Sequence, residues 1–452
     1  MMRSWLPLLL MMGQVVPVLA QQNPLAKPGA PPTAKDERSK PSPIDLDLAK
    51  KYFGEAKRLA ESDGGKLWGK SLAGPMLFVD PRSRFVVANQ ADQEKKLKPD
   101  GGVFVGTLPS NVPVANTACR WAGTHWSMVL WPLANDRAER SILLMHESWH
   151  RIQTDLGLPS IDPANVHLDT LEGRYWLQLE WRALARALSS SRDDQRKAIE
   201  DALRFRQHRR GLFKGAASEE NALELHEGLA EYTGIKLSAL PEAEQQRLLV
   251  KRFETMPAEL RTFVRTFTFL SGPGYGLLLD QHAAGWLRKL KPKDDMGQML
   301  ATALDLKLAK EAEPSTKERA GRYDGEKLLT AEAAREESRL KKVGAFRRLL
   351  VDGPVLTLPL SKQQMSFNPS ELVPIEGVGT VYPTLTLIGP WGKLEVRNAS
   401  LITFDFKKAF VAAPVKFEER VLTGEGWELR LEAGWKAVKG ERKGDWKLVK
   451  EN

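Results

Sequence analysis

Three residues of this 452-residue chain have the types and the spacing of a hydrolytic metal site, two as ligands and one as a base. His146, Glu147 and His150 stand in the order HExxH within Ser141-Ile-Leu-Leu-Met-His-Glu-Ser-Trp-His. On a helix, residues four apart lie about 40° apart around the axis and about 6 Å along it, so both imidazoles leave one side and can converge on one ion. Glu147, one position on, can reach a water beside that ion without being a ligand. The chemistry such a trio performs is metal-assisted hydrolysis, with the glutamate as general base. The helix is indicated independently. Ile142, Met145, Trp149 and Ile152 recur at i, i+3, i+7 and i+10 and make a core-facing stripe, flanked by the two histidines. Gly157 and Pro159 supply the stop.

Two histidines do not complete such a site, because a catalytic zinc ion usually has three protein ligands. The chain has one cysteine, Cys119, so it has no disulfide of its own and no thiolate cluster; the third ligand must be a histidine or a carboxylate. The best candidate lies in Leu225-His226-Glu227-Gly228-Leu229-Ala230-Glu231-Tyr232. Glu227 and Glu231 are four apart on an expected helix with Ser218 as N-cap and Glu219 and Glu220 in its first turn. One carboxylate can bind the ion while the other accepts a proton from a ligand histidine's second nitrogen. Glu172, Glu180 and His226 are rivals for the third position. Glu180 lies among aromatic residues, where a buried ion pair with an arginine is its ordinary role. A donor to a developing oxyanion is harder to place. Tyr275 is the candidate, in Ser271-Gly-Pro-Gly-Tyr-Gly, read as a flexible break that opens a new helix; His125 is the alternative, and packing is the ordinary role for both.

These motifs resemble those of the gluzincin zinc metallopeptidases, in which HExxH is followed by a second helix bearing a glutamate ligand, much like Glu227-Gly-Leu-Ala-Glu-Tyr. The resemblance implies that His146, His150 and Glu227 bind zinc, that Glu147 is the general base and that Glu231 supports a ligand from behind. It also implies a zincin-like domain in which a sheet, with its edge strand along the cleft, precedes the active-site helix. It covers 126–158 and 219–237. One departure stands out: 76 residues separate His150 from Glu227, many more than in most of the clan, although neprilysin-like members carry a long insert there.

The elements that would position these residues follow from the pattern along the chain. Arg3, the apolar run Leu6 to Leu19 and Ala20 have the form of a signal peptide over 1–20, which predicts export to the periplasm or outside the cell. Residues 21–43 form a Pro-rich tether. From 44 to about 350 the pattern predicts an α+β unit: a helix, short strands at Met76–Val79, Phe85–Asn89, Val103–Val105 and Trp126–Leu133 in a small, mostly antiparallel sheet, then helices nearly throughout. From 351 to 452, alternating runs such as Thr384–Leu387, Lys393–Arg397 and Trp427–Leu431 predict an all-β module, a sandwich or barrel. Four tryptophans lie there, Trp391, Trp427, Trp435 and Trp446; core packing is their ordinary role and a carbohydrate-stacking surface the alternative.

The composition is that of a globular protein, 42% hydrophobic and 27% charged, with a formal net charge of +10. The basic excess is spread out and sits in no nucleic-acid module, so no specific nucleic-acid partner is expected. No apolar run outside the leader is long enough to span a membrane. The expected partner is a peptide or protein substrate, with contact to an envelope polymer through the β-module as a further option. Two other readings share these features: a binding or assembly protein on the same frame, and a zinc hydrolase of a non-peptide substrate.

Overall fold

The computed structural model describes residues 44–260, 262–308, 313–361, 363–368 and 371–451. The expected signal peptide, 1–20, and tether, 21–43, lie outside the described residues. The chain is mixed α/β: a sheet, a run of helices, then two further sheets.

Helix α1 (Leu46–Asp63) begins at Asp45, whose carboxylate accepts from the N–H groups of Asp47 and Leu48, and ends at Gly64 in the left-handed conformation. Its face of Ala49, Tyr52, Phe53, Ala56, Leu59 and Ala60 is buried. Glu55 on that face accepts from Arg140 Nε and Ser141 Oγ, both at 2.9 Å, which ties α1 to the start of the HExxH helix. The first sheet comprises β1 (Met76–Val79), β2 (Phe85–Ala88), β3 (Lys98–Asp100), β4 (Val103–Thr107), β5 (Thr117–Trp121) and β6 (Thr124–Leu130), in the order β3-β4-β2-β1-β6-β5. Its pairs are antiparallel except β1 with β6. The β1–β2 turn is held by Asp80, which accepts from the N–H groups of Arg82 and Ser83. The apolar pattern does not reveal β3 and β5. The first is Lys-Pro-Asp and fully exposed, the second largely half-buried, and each exists through its hairpin partner.

Helix α2 (Arg137–Gln153) carries HExxH and packs against β6 and the edge strand β5. Asp136 caps it by accepting from Glu139 N–H. Then follow α3 (Leu171–Ser189), α4 (Arg192–Leu212), α5 (Ala216–Leu223), α6 (Leu229–Lys236), α7 (Glu242–Glu259), α8 (Thr268–His282), α9 (Met296–Ala303), α10 (Glu313–Ala320) and α11 (Gly325–Arg347).

Two local expectations are corrected. Ser218 lies inside α5, whose N-cap is Gly215, and α5 runs into α6 through a π-helical turn at Glu224–Gly228. Ser271–Gly276 is no break, because α8 passes straight through it. Its glycines serve close packing. A Cβ on Gly272 would meet Gly228 Cα at 2.3 Å, and one on Gly276 would meet the Tyr232 ring at 2.3 Å. Likewise a Cβ on Gly234 would meet Ile142 O at 2.6 Å. Residues with no side chain thus draw α2, α6 and α8 together.

From Val355 onward the described chain is β-structure with turns, in sheets of seven and six strands. Leu356, Leu358 and Val411 of one sheet and Leu387, Leu394 and Leu429 of the other share one buried cluster, so the sheets pack face to face. The outer face of the seven-stranded sheet, with Val373, Ile375, Val381 and Leu401, packs on Leu350 and on Val343 and Phe346 of α11. Trp391 and Trp427 are core residues whose indole N–H groups donate to backbone carbonyls of Pro359 and Ala412. Trp435 and Trp446 are half-buried.

Candidate metal centre

The stripe Ile142, Met145, Trp149 and Ile152 is buried, which turns His146 and His150 toward α6. There His146, His150 and Glu227 each offer a donor atom within 4.8 Å of the others. His146 Nε2 is 3.2 Å from His150 Nε2 and 3.6 Å from Glu227 Oε2, and His150 Nε2 is 3.7 Å from the same oxygen. A point equidistant from three atoms so spaced is about 2.0 Å from each, the length of a zinc–nitrogen or zinc–oxygen bond. Glu227 reaches this position from the π-helical turn. Such turns insert one residue into a helix and recur at functional sites. Glu231, one α-turn on, lies behind His146.

The ring nitrogens turned away from the cluster are anchored. His146 Nδ1–H donates to Glu231 Oε2 at 2.9 Å, and Arg252 donates to the other oxygen of Glu231 at 2.6 Å. His150 Nδ1–H donates to Gln153 Oε1 at 3.1 Å. Gln153 gives its own N–H to Pro159 O, which turns its amide oxygen toward the rings; His226 Nδ1–H shares that oxygen at 3.0 Å. With both Nδ1 atoms engaged, both Nε2 atoms face the cluster, and a metal ion entering there would take the place of any Nε2 proton. Phe269 stacks on the His146 ring with centroids 6.0 Å apart.

The charges favour a cation. Glu147, Glu227, Glu231 and Asp162 are four carboxylates set against two guanidiniums, Arg252 and Arg265. Burial opposes a charge on His146, but Glu227, Glu231 and Glu147 outweigh it and push the imidazole up to about 10. The same field attracts a divalent ion. Burial, helped by Glu227 and Glu231 and opposed by the two histidines, raises Glu147 to about 7, where it can both take and return a proton near neutrality. Its Oε1 is 4.0 Å from His146 Nε2, and its Oε2 is buried with no hydrogen-bond partner among the described residues. Burial pushes His226 down to about 3, so it is neutral; its Nε2 lies 3.1 Å from both Ser160 Oγ and Glu227 Oε1.

The other sequence candidates lie elsewhere. Glu180 pairs with Arg206 at 3.2 Å and with Arg209, the buried role expected of it. Tyr275 is fully buried and its hydroxyl donates to Glu180 Oε1 at 2.8 Å, with the Arg206 guanidinium 4.8 Å from its ring centre. Its side chain is thus part of the ion-pair network of α3, α4 and α5, and its hydroxyl is engaged there by Glu180. Glu172 accepts from Trp176 Nε1 at 2.8 Å on its own helix. His125 lines a polar pocket with Arg120, Arg151 and Asp155.

Sequence reasoning passed over Gln153, Arg252, Asp162 and Arg265. Gln153 had a readable signal, since it lies three residues after His150 on the same helix. The others come from a loop and from segments far along the chain, and no spacing marks them. Arg265 Nη2 is 3.5 Å from Glu227 Oε1 while its Nη1 pairs with Asp162. Scans of protein-family models, of curated proteins and of solved structures find no match to this chain.

Proposed function

We propose that this chain is an exported zinc-dependent metallopeptidase of gluzincin type, with His146, His150 and Glu227 as metal ligands and Glu147 as general base. The observation that carries the reading is the set of three donor spacings, 3.2, 3.6 and 3.7 Å, beside a buried carboxylate that is not itself one of the three. Zinc bound there would supply Lewis acidity, polarising a carbonyl and easing the ionisation of water.

The rest is the work of the chain's own residues. Glu147 takes the proton of the attacking water and passes it to the leaving amine, the two-way transfer of a general base that then serves as general acid. Glu231 and Gln153 hold the two imidazoles in the tautomer and orientation that present Nε2. His146 and Arg252 hold the buried Glu231 carboxyl below its ordinary value, and His226, His146 and His150 do the same for Glu227, with Arg265 Nη2 3.5 Å from its Oε1. An intact carboxylate at 147 favours an enzyme over a scaffold, because a purely structural metal site has no use for a base there. The test is hydrolysis of a mixed peptide library by zinc-loaded protein, with and without a chelator. Chelator-sensitive cleavage that disappears in Glu147→Gln supports the reading; cleavage by Glu147→Gln at the wild-type rate would sink it.

A further inference from the structure

The segment between α7 and α8 joins the candidate centre to the β-module. Asp169 fixes it by accepting from Thr262 Oγ1 at 2.8 Å and Phe263 N–H at 3.1 Å. From that anchor two successive side chains point to different places. Arg265 reaches Glu227, and Val264 enters the hydrophobic cluster of the β-module. Between them opens a cleft of about 460 Å³. Its floor is the Arg265–Asp162 ion pair, the one that also touches the candidate metal ligand.

The opposite wall is built by strand register. In the strands Val373–Ile375, Gly379–Tyr382 and Ser400–Thr403, Pro374 pairs with Thr380 and Thr380 with Ile402, so the three side chains form one row across the sheet. Leu372 and Tyr382 lie two residues along on the same face, by the period of two. Phe367, whose ring meets that of Tyr382 edge-on at 4.9 Å, closes one side, and Phe404 and Phe406 form an apolar rim. The alternate residues Val373, Val381 and Leu401 face the other way, into the core against Leu350. The row facing the cleft does not cover α11; Ile402, Leu372 and Tyr382 also belong to the buried core of the β-module, and Thr380 is the row's polar member.

We propose that this cleft receives a bulky apolar side chain, such as phenylalanine or leucine, of the peptide substrate, so that the C-terminal β-region forms one wall of the substrate site. The inference rests on the peptidase reading for its occupant. The volume is that of a small-ligand pocket, and its lining is mostly apolar, with Glu219, Thr380 and Thr403 as polar members beside the ion pair. The Arg265 guanidinium is already paired with Asp162 and Glu227, and the lining carboxylates would repel an acidic side chain. The Arg265 guanidinium lines the cleft and lies 3.5 Å from Glu227 Oε1, so one side chain separates the cleft from the candidate ligand.

Two separate readouts on the full-length chain test this. The first is binding of N-acetyl-phenylalaninamide and N-acetyl-alaninamide, followed by saturation-transfer NMR, and it needs no catalysis. Saturable binding of the phenylalanine compound that is lost in Thr380→Trp, which fills the cleft, and kept in Thr380→Val, which preserves its shape, supports the proposal. No binding, or equal binding to wild type and Thr380→Trp when the two melt at the same temperature, overturns it. The second is peptide cleavage. In Thr380→Trp, kcat/KM should fall on the order of tenfold to a hundredfold for substrates with a large apolar residue and stay unchanged for their alanine counterparts; an equal fall for both overturns the proposal. If wild type cleaves no peptide while the binding difference holds, the peptidase reading fails and the cleft stands as an apolar side-chain site.

Discussion

Glu231 touches no substrate in this account, yet it holds the His146 ring from behind while Arg252 holds Glu231. Removing such a support behind a metal ligand costs about 10- to 100-fold in metal affinity. Glu231→Ala should therefore bind zinc more weakly by that factor in a competition titration with a chromophoric chelator, and an unchanged affinity would show that the carboxylate serves only the fold. Cys119 gives a second test at this scale. Burial pushes its thiol up to about 12, so at pH 8 the thiolate fraction is lower than that of a free cysteine by about a thousandfold. Iodoacetamide should label it slowly in the native protein and quickly in denaturant. The HExxH residues and Glu227 were legible because one helix turn and one glutamate pattern carry them. Arg252, Arg265 and Asp162 were not, because their roles arise from packing between segments that no sequence interval relates.

Glycines at Gly228, Gly234, Gly272 and Gly276 let the helices that bear the site approach one another. In sequence Gly272 reads as punctuation, the usual meaning of Gly-Pro-Gly. Three-dimensional context reverses that meaning, since glycine in a helix also marks the place where another backbone passes closely. Gly272→Ala must push α8 away from the π-helical turn that carries Glu227. A loss of about 1–3 kcal/mol of unfolding free energy is expected from such overpacking, with a weaker zinc affinity alongside it. Gly211→Ala, within α4 where an added Cβ has nothing within 4 Å, should leave zinc affinity unchanged and raise unfolding free energy by up to about 1 kcal/mol through helix propensity. Urea unfolding and zinc titration of the two variants check this. The π-helical turn itself left no trace in the sequence, because an inserted residue in a continuous helix changes the backbone ladder and not the composition.

Across the whole molecule, the sheet, the helical run and the β-module were legible in outline from period and punctuation, but the junction at Val264 and Arg265 was not, being a contact between units. The buried ion-pair network of α3, α4 and α5 sets the response to acid. Burial would raise the Glu220 carboxyl, but Arg209, Arg210 and His167 hold it well below the ordinary value. A carboxylate depressed in the folded state contributes stability that is complete above its unfolded value and is lost as pH falls toward the folded one. Unfolding free energy should thus decline as pH drops below about 4.5, and less steeply in Glu220→Gln, as followed by urea titration from pH 7 to pH 3. The central claim is that one metal ion is held by His146, His150 and Glu227. Its most direct test is the zinc content per chain, by elemental mass spectrometry after loading and dialysis, of wild type, Glu227→Ala and Glu172→Ala. The prediction is about one ion per chain in wild type and in Glu172→Ala, and almost none in Glu227→Ala. A metal-free wild type, or a Glu227→Ala protein that keeps its full complement, contradicts the account.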